Sequence, residues 1–67
     1  MIEIILNGER MTIDPQASVA AMLVANNYDC GRVAVAINSE FVARADYDRQ
    51  QFVAGDRVDV VAPMAGG

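Results

Sequence analysis

Two residues, Gly66 and Gly67, stand out as a group that could take part in chemistry, because they end the chain with a free carboxylate. Glycine has no Cβ, so a Gly-Gly end adopts extended or left-handed conformations and lets a partner's backbone approach closely. Glycine makes up about 7% of average composition, so two in succession at a terminus have chance odds of about 0.5%. The pattern predicts that the C-terminal carboxylate is the working group of the protein.

The length of the last segment indicates how that carboxylate would be used. Residues 64–67 extend at most about 13 to 14 Å, at about 3.3 to 3.6 Å per residue. That reach is sufficient for Gly67 to enter a buried site in a partner, with Ala65 and Gly66 in the entry channel, while the domain stays outside. We therefore predict one domain over residues 1–64 and a flexible functional tail over residues 65–67.

The remaining residues offer little catalytic chemistry of their own. The chain contains no histidine to act as a general base near neutral pH, and it has no glycine-rich phosphate loop or metal-ligand cluster. Its single cysteine, Cys30, excludes an internal disulfide framework and multi-cysteine metal sites, and we interpret it as an incidental thiol in a loop. No catalytic residue is predicted, and activation of the carboxylate is expected to come from a partner.

Composition restricts the class of protein further. The 67 residues are 54% hydrophobic, which favours one small folded domain. The net charge of −4 argues against nucleic-acid and anionic-membrane partners. No stretch reaches the roughly 20 apolar residues of a membrane span, and the first residues lack the pattern of a secretory leader. A single cysteine fits a reducing compartment, so we expect a cytoplasmic protein.

The tail follows a folded domain, and the first predicted element of that domain is a β-hairpin. Strands are expected over residues 2–6 and 9–13, joined by Asn7-Gly8, a pair that favours the positive φ angles of a tight turn. Alternation places a set of apolar side chains on the core face: Ile2, Ile4, Leu6, Met11 and Ile13.

A short helix and three further strands are predicted after the hairpin. Ser18 is placed to cap a helix whose apolar stripe includes Met22 and Leu23, and which ends near Asn26-Asn27. Strands are expected over residues 33–37, 41–44 and 57–64, with one helical turn or a long loop over residues 45–51. This order predicts an α+β fold, a β-grasp with a mixed sheet of about five strands and the helix on one face.

The predicted last strand also suggests a docking surface beside the tail. Val61, Pro63 and Met64 would combine with the small Ala34 and Ala36 on the sheet face away from the helix, since exposed apolar patches commonly mark partner sites. Ordinary strand packing is an equally good explanation for the two alanines. Arg44 and Arg57 could pair with an acidic partner, although exposed charges on a small domain are usually only solvated.

Several segments resemble the sulfur carriers of the thiamine pathway, a family of ubiquitin-like β-grasp proteins. The resemblance spans the chain, from I-I-L-N-G-E through V-A-V-A-I-N-S-E-F-V-A-R at residues 33–44 and Gly55-Asp56 to the terminal A-G-G. Many members have a proline where this chain has Ala43. The related small subunit of molybdopterin synthase shares the fold and the Gly-Gly end but is usually longer, and it stays open as an alternative.

The resemblance implies a mechanism for the tail. A ubiquitin-activating-like adenylyltransferase would use ATP with Mg²⁺ to adenylate Gly67, and a persulfide donor enzyme would supply the sulfur. The resulting thiocarboxylate would pass its sulfur to the thiazole synthase, and the carrier itself would bind no cofactor. Two other possibilities remain open: an interaction module in which Gly66-Gly67 is only a flexible end, and a protein modifier joined to target lysines.

Overall fold

A computed structural model describes residues 1–62 of the chain, and residues 63–67 lie outside the described part. Its elements, in chain order, are β1 (Ile2–Leu6), β2 (Glu9–Ile13), α1 (Val19–Ala25), β3 (Ala34–Ile37), β4 (Glu40–Phe41), a 3-10 helix (Arg44–Asp46) and β5 (Arg57–Val61). The five strands form one sheet in the order β2-β1-β5-β3-β4. β1 and β5 are parallel and the other neighbours are antiparallel. The predicted α+β, β-grasp architecture is confirmed.

The first hairpin forms as its turn residues predict. Asn7 and Gly8 have φ angles of 49° and 84°, which few residues other than asparagine and glycine adopt without strain. The resulting register pairs Leu6 with Glu9 and Ile2 with Ile13. It buries Ile4 completely, and the whole predicted core face of the hairpin is confirmed, because its other members are buried or pack against the core.

The helix begins at the predicted cap. The Ser18 hydroxyl accepts a hydrogen bond from the backbone N–H of Ala21 at 3.1 Å, and the helix ends at Asn26 as its C-cap. α1 buries Val19, Met22 and Leu23 against the sheet. None of the helices within residues 1–62 combines the length and apolar character needed to cross a bilayer.

Residues 42–56, between β4 and β5, close the core at the start of the helix, and we call them the covering segment. Tyr47 and Phe52 are buried there. The carbonyl groups of Gln50 and Tyr47 accept the N–H groups of Val19 and Ala20, which have no partner within the helix. The segment therefore covers the core and caps α1 at the same time.

Three predicted strand boundaries were wrong. β3 begins at residue 34, one residue later than predicted, and β4 occupies residues 40–41 instead of 41–44. The positive φ angles of Asn38 and Ser39 make a turn so tight that Glu40 already pairs with Ile37. Arg44 therefore lies in the 3-10 helix that starts the covering segment.

The last strand is also shorter than the predicted span of residues 57–64. β5 ends at Val61, which is paired with Ala34, the first residue of β3. On the other side of β5, its pairing with β1 has already ended at Leu6 and Val58. Ala62 thus has no neighbouring strand to extend the ladder, and residues 63 and 64 lie outside the described part.

Candidate functional site

Most of the predicted site residues belong to the part of the chain that the structure does not describe. Residues 63–67 include Gly67, which is predicted to carry the sulfur, the predicted tail residues Ala65 and Gly66, and the docking candidates Pro63 and Met64. Their roles stay predictions. The structure does describe the strand that leads into them and the surface around its end.

The tail follows a central strand of the sheet. β5 lies between β1 and β3, so both of its edges are engaged in pairing for part of its length. Val58 and Val60 point into the core, whereas Arg57, Asp59 and Val61 are exposed on the other face. The last residues therefore continue from a well-anchored strand, with Val61 on the surface two positions before Pro63.

The register of β5, β3 and β4 places four apolar residues together on the face opposite the helix. Val61 pairs with Ala34, and Ala36 pairs with Phe41. Directly paired residues of an antiparallel ladder share a face, and the intervening Val35 is fully buried on the helix side. We call these four residues, Ala34, Ala36, Phe41 and Val61, the outer patch.

The members of the outer patch differ in how much surface they offer. Phe41 is 75% exposed and Val61 is 57% exposed, whereas Ala36 is only 7% exposed. Ala36 therefore forms the floor of the patch and adds little contact area. The predicted location of Ala34, Ala36 and Val61 on one face is confirmed, but their docking role stays a prediction.

Phe41 is the largest exposed side chain of the outer patch, and sequence reasoning assigned it no function. The sequence does not show which residue Phe41 pairs with. The tight turn that includes Asn38 pairs Phe41 with Ala36 and so places it on the outer face. A large apolar side chain exposed beside a small floor residue is a common feature of partner sites. The signal available in the sequence was an aromatic residue directly after a turn, which is weak.

The start of β5 is held by a buried acidic group. Asp56 is 6% exposed, and its carboxylate accepts hydrogen bonds from Asn38 Nδ2 at 3.0 Å and from the N–H of Val53 at 2.9 Å. Asn38 Oδ1 in turn accepts the N–H of Arg57 at 3.0 Å. The β3–β4 turn, the covering segment and β5 are thereby joined at one point.

The two arginines considered for partner binding have different environments. Arg44 donates hydrogen bonds to the carbonyl groups of Gly31 and Val33, so its guanidinium group serves the loop before β3. Arg57 is exposed on the outer face of β5. Of the two, Arg57 is the one that lies on the same sheet face as the outer patch.

The Cys30 thiol lies in the loop that Arg44 holds. It is half-buried, and its Sγ is 3.8 Å from the carbonyl oxygen of Ala20. Within residues 1–62, no three histidine, cysteine, aspartate or glutamate side chains come together as a potential metal site. The described part of the molecule is a folded domain whose exposed sheet face carries the apolar Val61 and Phe41 together with the charged Arg57 and Asp59.

Comparison with known proteins gives consistent similarities. The model of the ThiS family matches residues 4–67, and thus includes the terminal glycines. A crystal structure of the thiamine biosynthesis protein ThiS from Geobacter metallireducens has a TM-score of 0.79 and 28% identity, covering 98% of this chain and all of that one. An NMR solution structure of a thiamine biosynthesis protein from the same organism has a TM-score of 0.78 and 28% identity, covering 98% of this chain and 88% of that one. No curated protein matches the chain at a significant level.

Proposed function

This chain belongs to the ThiS family, and we propose that it is a sulfur carrier for thiamine biosynthesis that holds sulfur as a thiocarboxylate on Gly67. The observation that carries the proposal is that the family match runs through the Gly-Gly end of the chain. The similar ThiS structure from Geobacter metallireducens supports the thiamine pathway. In this role the chain is a protein co-substrate, and partner enzymes catalyse the reactions.

The chemistry of a carboxylate dictates the order of the steps. A carboxylate is a poor electrophile, so a Gly67 oxygen first attacks the α-phosphorus of ATP on an adenylating partner, and pyrophosphate leaves. The terminal sulfur of a persulfide then displaces AMP from the acyl-adenylate. A thiol cleaves the resulting acyl disulfide and releases the thiocarboxylate, which is a soft nucleophile suited to the thiazole synthase.

The described domain supplies recognition in this scheme. We propose that the outer patch docks on the adenylating partner and, after sulfur transfer, on the thiazole synthase, while residues 65–67 enter the active site. The patch lies on the outer face of β3, β4 and β5 and includes Val61 at the end of β5, so docking there brings the tail to the partner without requiring the domain to open. Exposed Phe41 and Val61 would lose most of their contact with water on binding.

The intact mass of the protein tests the proposal directly. The purified chain is incubated with the adenylating enzyme, ATP, Mg²⁺ and a persulfide donor, and its mass is measured with and without each component. We expect a gain that corresponds to one oxygen replaced by one sulfur, located in the C-terminal peptide and dependent on ATP. Conversion of a synthetic thiazole precursor by the thiazole synthase then tests the pathway.

Two variants of the terminal residue serve as controls. A chain without Gly67 ends at Gly66, so it should fold normally but accept no sulfur. Gly67→Ala adds one methyl group beside the reacting carbonyl and should be adenylated poorly, because the site is expected to be narrow.

Unchanged mass in the wild-type chain with a demonstrably active partner would favour an interaction module. A ladder of higher-mass conjugates in cell extracts would indicate a protein modifier, and sulfur transfer to a molybdopterin precursor would indicate the related pathway.

A further inference from the structure

The N–H group near the end of β5 is bonded to a side chain instead of to a neighbouring strand. Val60 N donates a hydrogen bond to Asn7 Oδ1 at 2.8 Å. Asn7 lies 53 positions earlier in the chain, in the turn between β1 and β2. Val60 is seven positions before Gly67 in the sequence, so this bond holds the strand from which the tail continues.

The regular parallel ladder explains why a side chain is needed at this point. Ile5 N donates to the carbonyl of Asp56, and Asn7 N donates to the carbonyl of Val58, both at 2.9 Å. The evenly spaced pattern of parallel strands would next join Val60 N to the backbone carbonyl of Asn7. Asn7 has a φ of 49° and begins the turn, so its side-chain oxygen accepts this hydrogen bond in place of its backbone carbonyl.

The amide of Asn7 is held on its other side as well. Asn7 Nδ2 donates to the hydroxyl oxygen of Tyr28 at 3.1 Å, and Tyr28 follows the C-terminal end of α1. Because Val60 N can only donate, the amide oxygen must face it and the amide nitrogen must face Tyr28. The orientation of the Asn7 side chain is therefore determined by two elements that are distant in sequence.

We propose that Asn7 is a positioning residue for the C-terminal tail, and this inference rests on the proposed sulfur-carrier function. Asn7 adds one hydrogen bond to the parallel pairing beyond the end of β1. This bond keeps Val60 in the sheet and sets the direction in which the chain leaves the sheet after Val61. Asn7 does not touch the reacting carboxylate. Its effect is on how often a docked carrier presents Gly67 to the active site.

The same chain provides a matched control at the other end of β5. Asn38 also has a positive φ, 52°, and its Oδ1 accepts the N–H of Arg57 at 3.0 Å, where its own backbone carbonyl would otherwise pair. Asn7→Gly and Asn38→Gly each keep the backbone conformation and remove two side-chain hydrogen bonds, one to β5 and one to a supporting residue, which is Tyr28 for Asn7 and Asp56 for Asn38. Only the first lies near the end of β5 that leads to the tail.

The experiment compares these two variants with Asn7→Asp and with the wild-type chain. The aspartate keeps an oxygen toward Val60 N, and its second oxygen can accept from the Tyr28 hydroxyl, so it should restore the function lost in Asn7→Gly. Carrier-dependent ATP–pyrophosphate exchange gives kcat and KM at a temperature where all four proteins are folded. Amide hydrogen exchange by NMR reports on Val60 and Arg57 separately.

Distinct results are expected at the two ends of the strand. Loss of one hydrogen bond should accelerate exchange of the Val60 amide about fivefold in Asn7→Gly. We expect kcat to fall about tenfold in that variant, with KM for the carrier unchanged, because the tail is misplaced while the outer patch is intact. Asn38→Gly should accelerate exchange at Arg57 instead and keep the wild-type kcat.

Three results would overturn the positioning role while leaving the sulfur-carrier function intact. Equal losses of kcat in Asn7→Gly and Asn38→Gly would show that only stability matters, and a wild-type kcat in Asn7→Gly would show that the bond does not affect the tail. Failure of Asn7→Asp to restore kcat, despite a protected Val60 amide, would also contradict it. If the wild-type chain itself is not adenylated by an active partner, the sulfur-carrier function fails, and the positioning role fails with it.

Discussion

Replacement of Phe41 by alanine tests whether the outer patch is the docking surface. Phe41 is 75% exposed and belongs to β4, a two-residue strand at the edge of the sheet. Its side chain therefore contributes little to folding, and exposed substitutions of this kind usually change the free energy of unfolding by less than about 0.5 kcal/mol. A large change in partner binding would then reflect the interface and not the fold.

The expected magnitude follows from the exposed surface. Complete burial of a phenylalanine side chain stabilises by about 1.5 to 3 kcal/mol relative to exposure. Because three-quarters of Phe41 is still exposed in the described chain, docking can recover about 1 to 2 kcal/mol of that amount. This corresponds to an increase of about five- to thirtyfold in KM or Kd for Phe41→Ala.

The assay is carrier-dependent ATP–pyrophosphate exchange with the adenylating enzyme, supported by titration calorimetry of the unreacted complex. Val24→Ala is the matched control, because Val24 is 67% exposed but lies on α1, which covers the opposite face of the sheet. We expect the control to keep the wild-type KM. Thermal unfolding of both variants verifies that they are folded at the assay temperature.

Three outcomes would refute this reasoning. Equal increases in KM for Phe41→Ala and Val24→Ala would mean that contact with the partner is not confined to the outer patch. A wild-type KM for Phe41→Ala, with normal binding in calorimetry, would place the docking surface elsewhere. A lower kcat with unchanged KM would likewise contradict a docking role, since Phe41 is expected to act only through binding.

Three further predictions concern the folded domain. Asp56→Asn should lower the free energy of unfolding by about 1 to 3 kcal/mol, because both carboxylate oxygens accept N–H groups and an amide would turn a donor toward one of them. Urea unfolding measures this free energy, and an unchanged value would contradict the prediction. Gly8→Ala should lower the free energy of unfolding by about 1 to 2 kcal/mol. The cost comes from the φ of +84°, and it stays limited because an added Cβ would meet no atom within 4 Å. A much larger fall in thermal stability would indicate a clash that the structure lacks. Arg44→Met removes two hydrogen bonds to the loop that carries Cys30, so the thiol should react with a disulfide reagent about fivefold faster; an unchanged rate would mean that the guanidinium group does not hold the loop.

The local elements were predictable because their signals are local. Asn7-Gly8 requires no information beyond its own φ preferences, and the capping serine at position 18 is recognised by the apolar stripe that follows it. Alternation in β1 and the spacing of Met22 and Leu23 identify the core-facing sides, since a side chain's direction depends on its element's period. The β-grasp order followed from these elements.

The asparagines that support β5 were recognised only as turn residues. Asn7 and Asn38 each follow the last apolar residue of a strand, in I-I-L-N and V-A-I-N, and both adopt positive φ. That repeated pattern was visible, but its meaning depends on which strand lies alongside. Val60 and Arg57, whose N–H groups they bind, are 53 and 19 positions away.

The sequence by itself determined the β-grasp class and the core-facing residues, and it supplied the hypothesis, still a prediction, that Gly67 is the working group. Only the tertiary structure decided where β5 ends and that Phe41 joins Val61's face of the sheet. The difference has a physical reason. Turn, cap and period are properties of neighbouring residues, whereas the end of a strand depends on whether a distant segment still offers its backbone groups a hydrogen-bond partner.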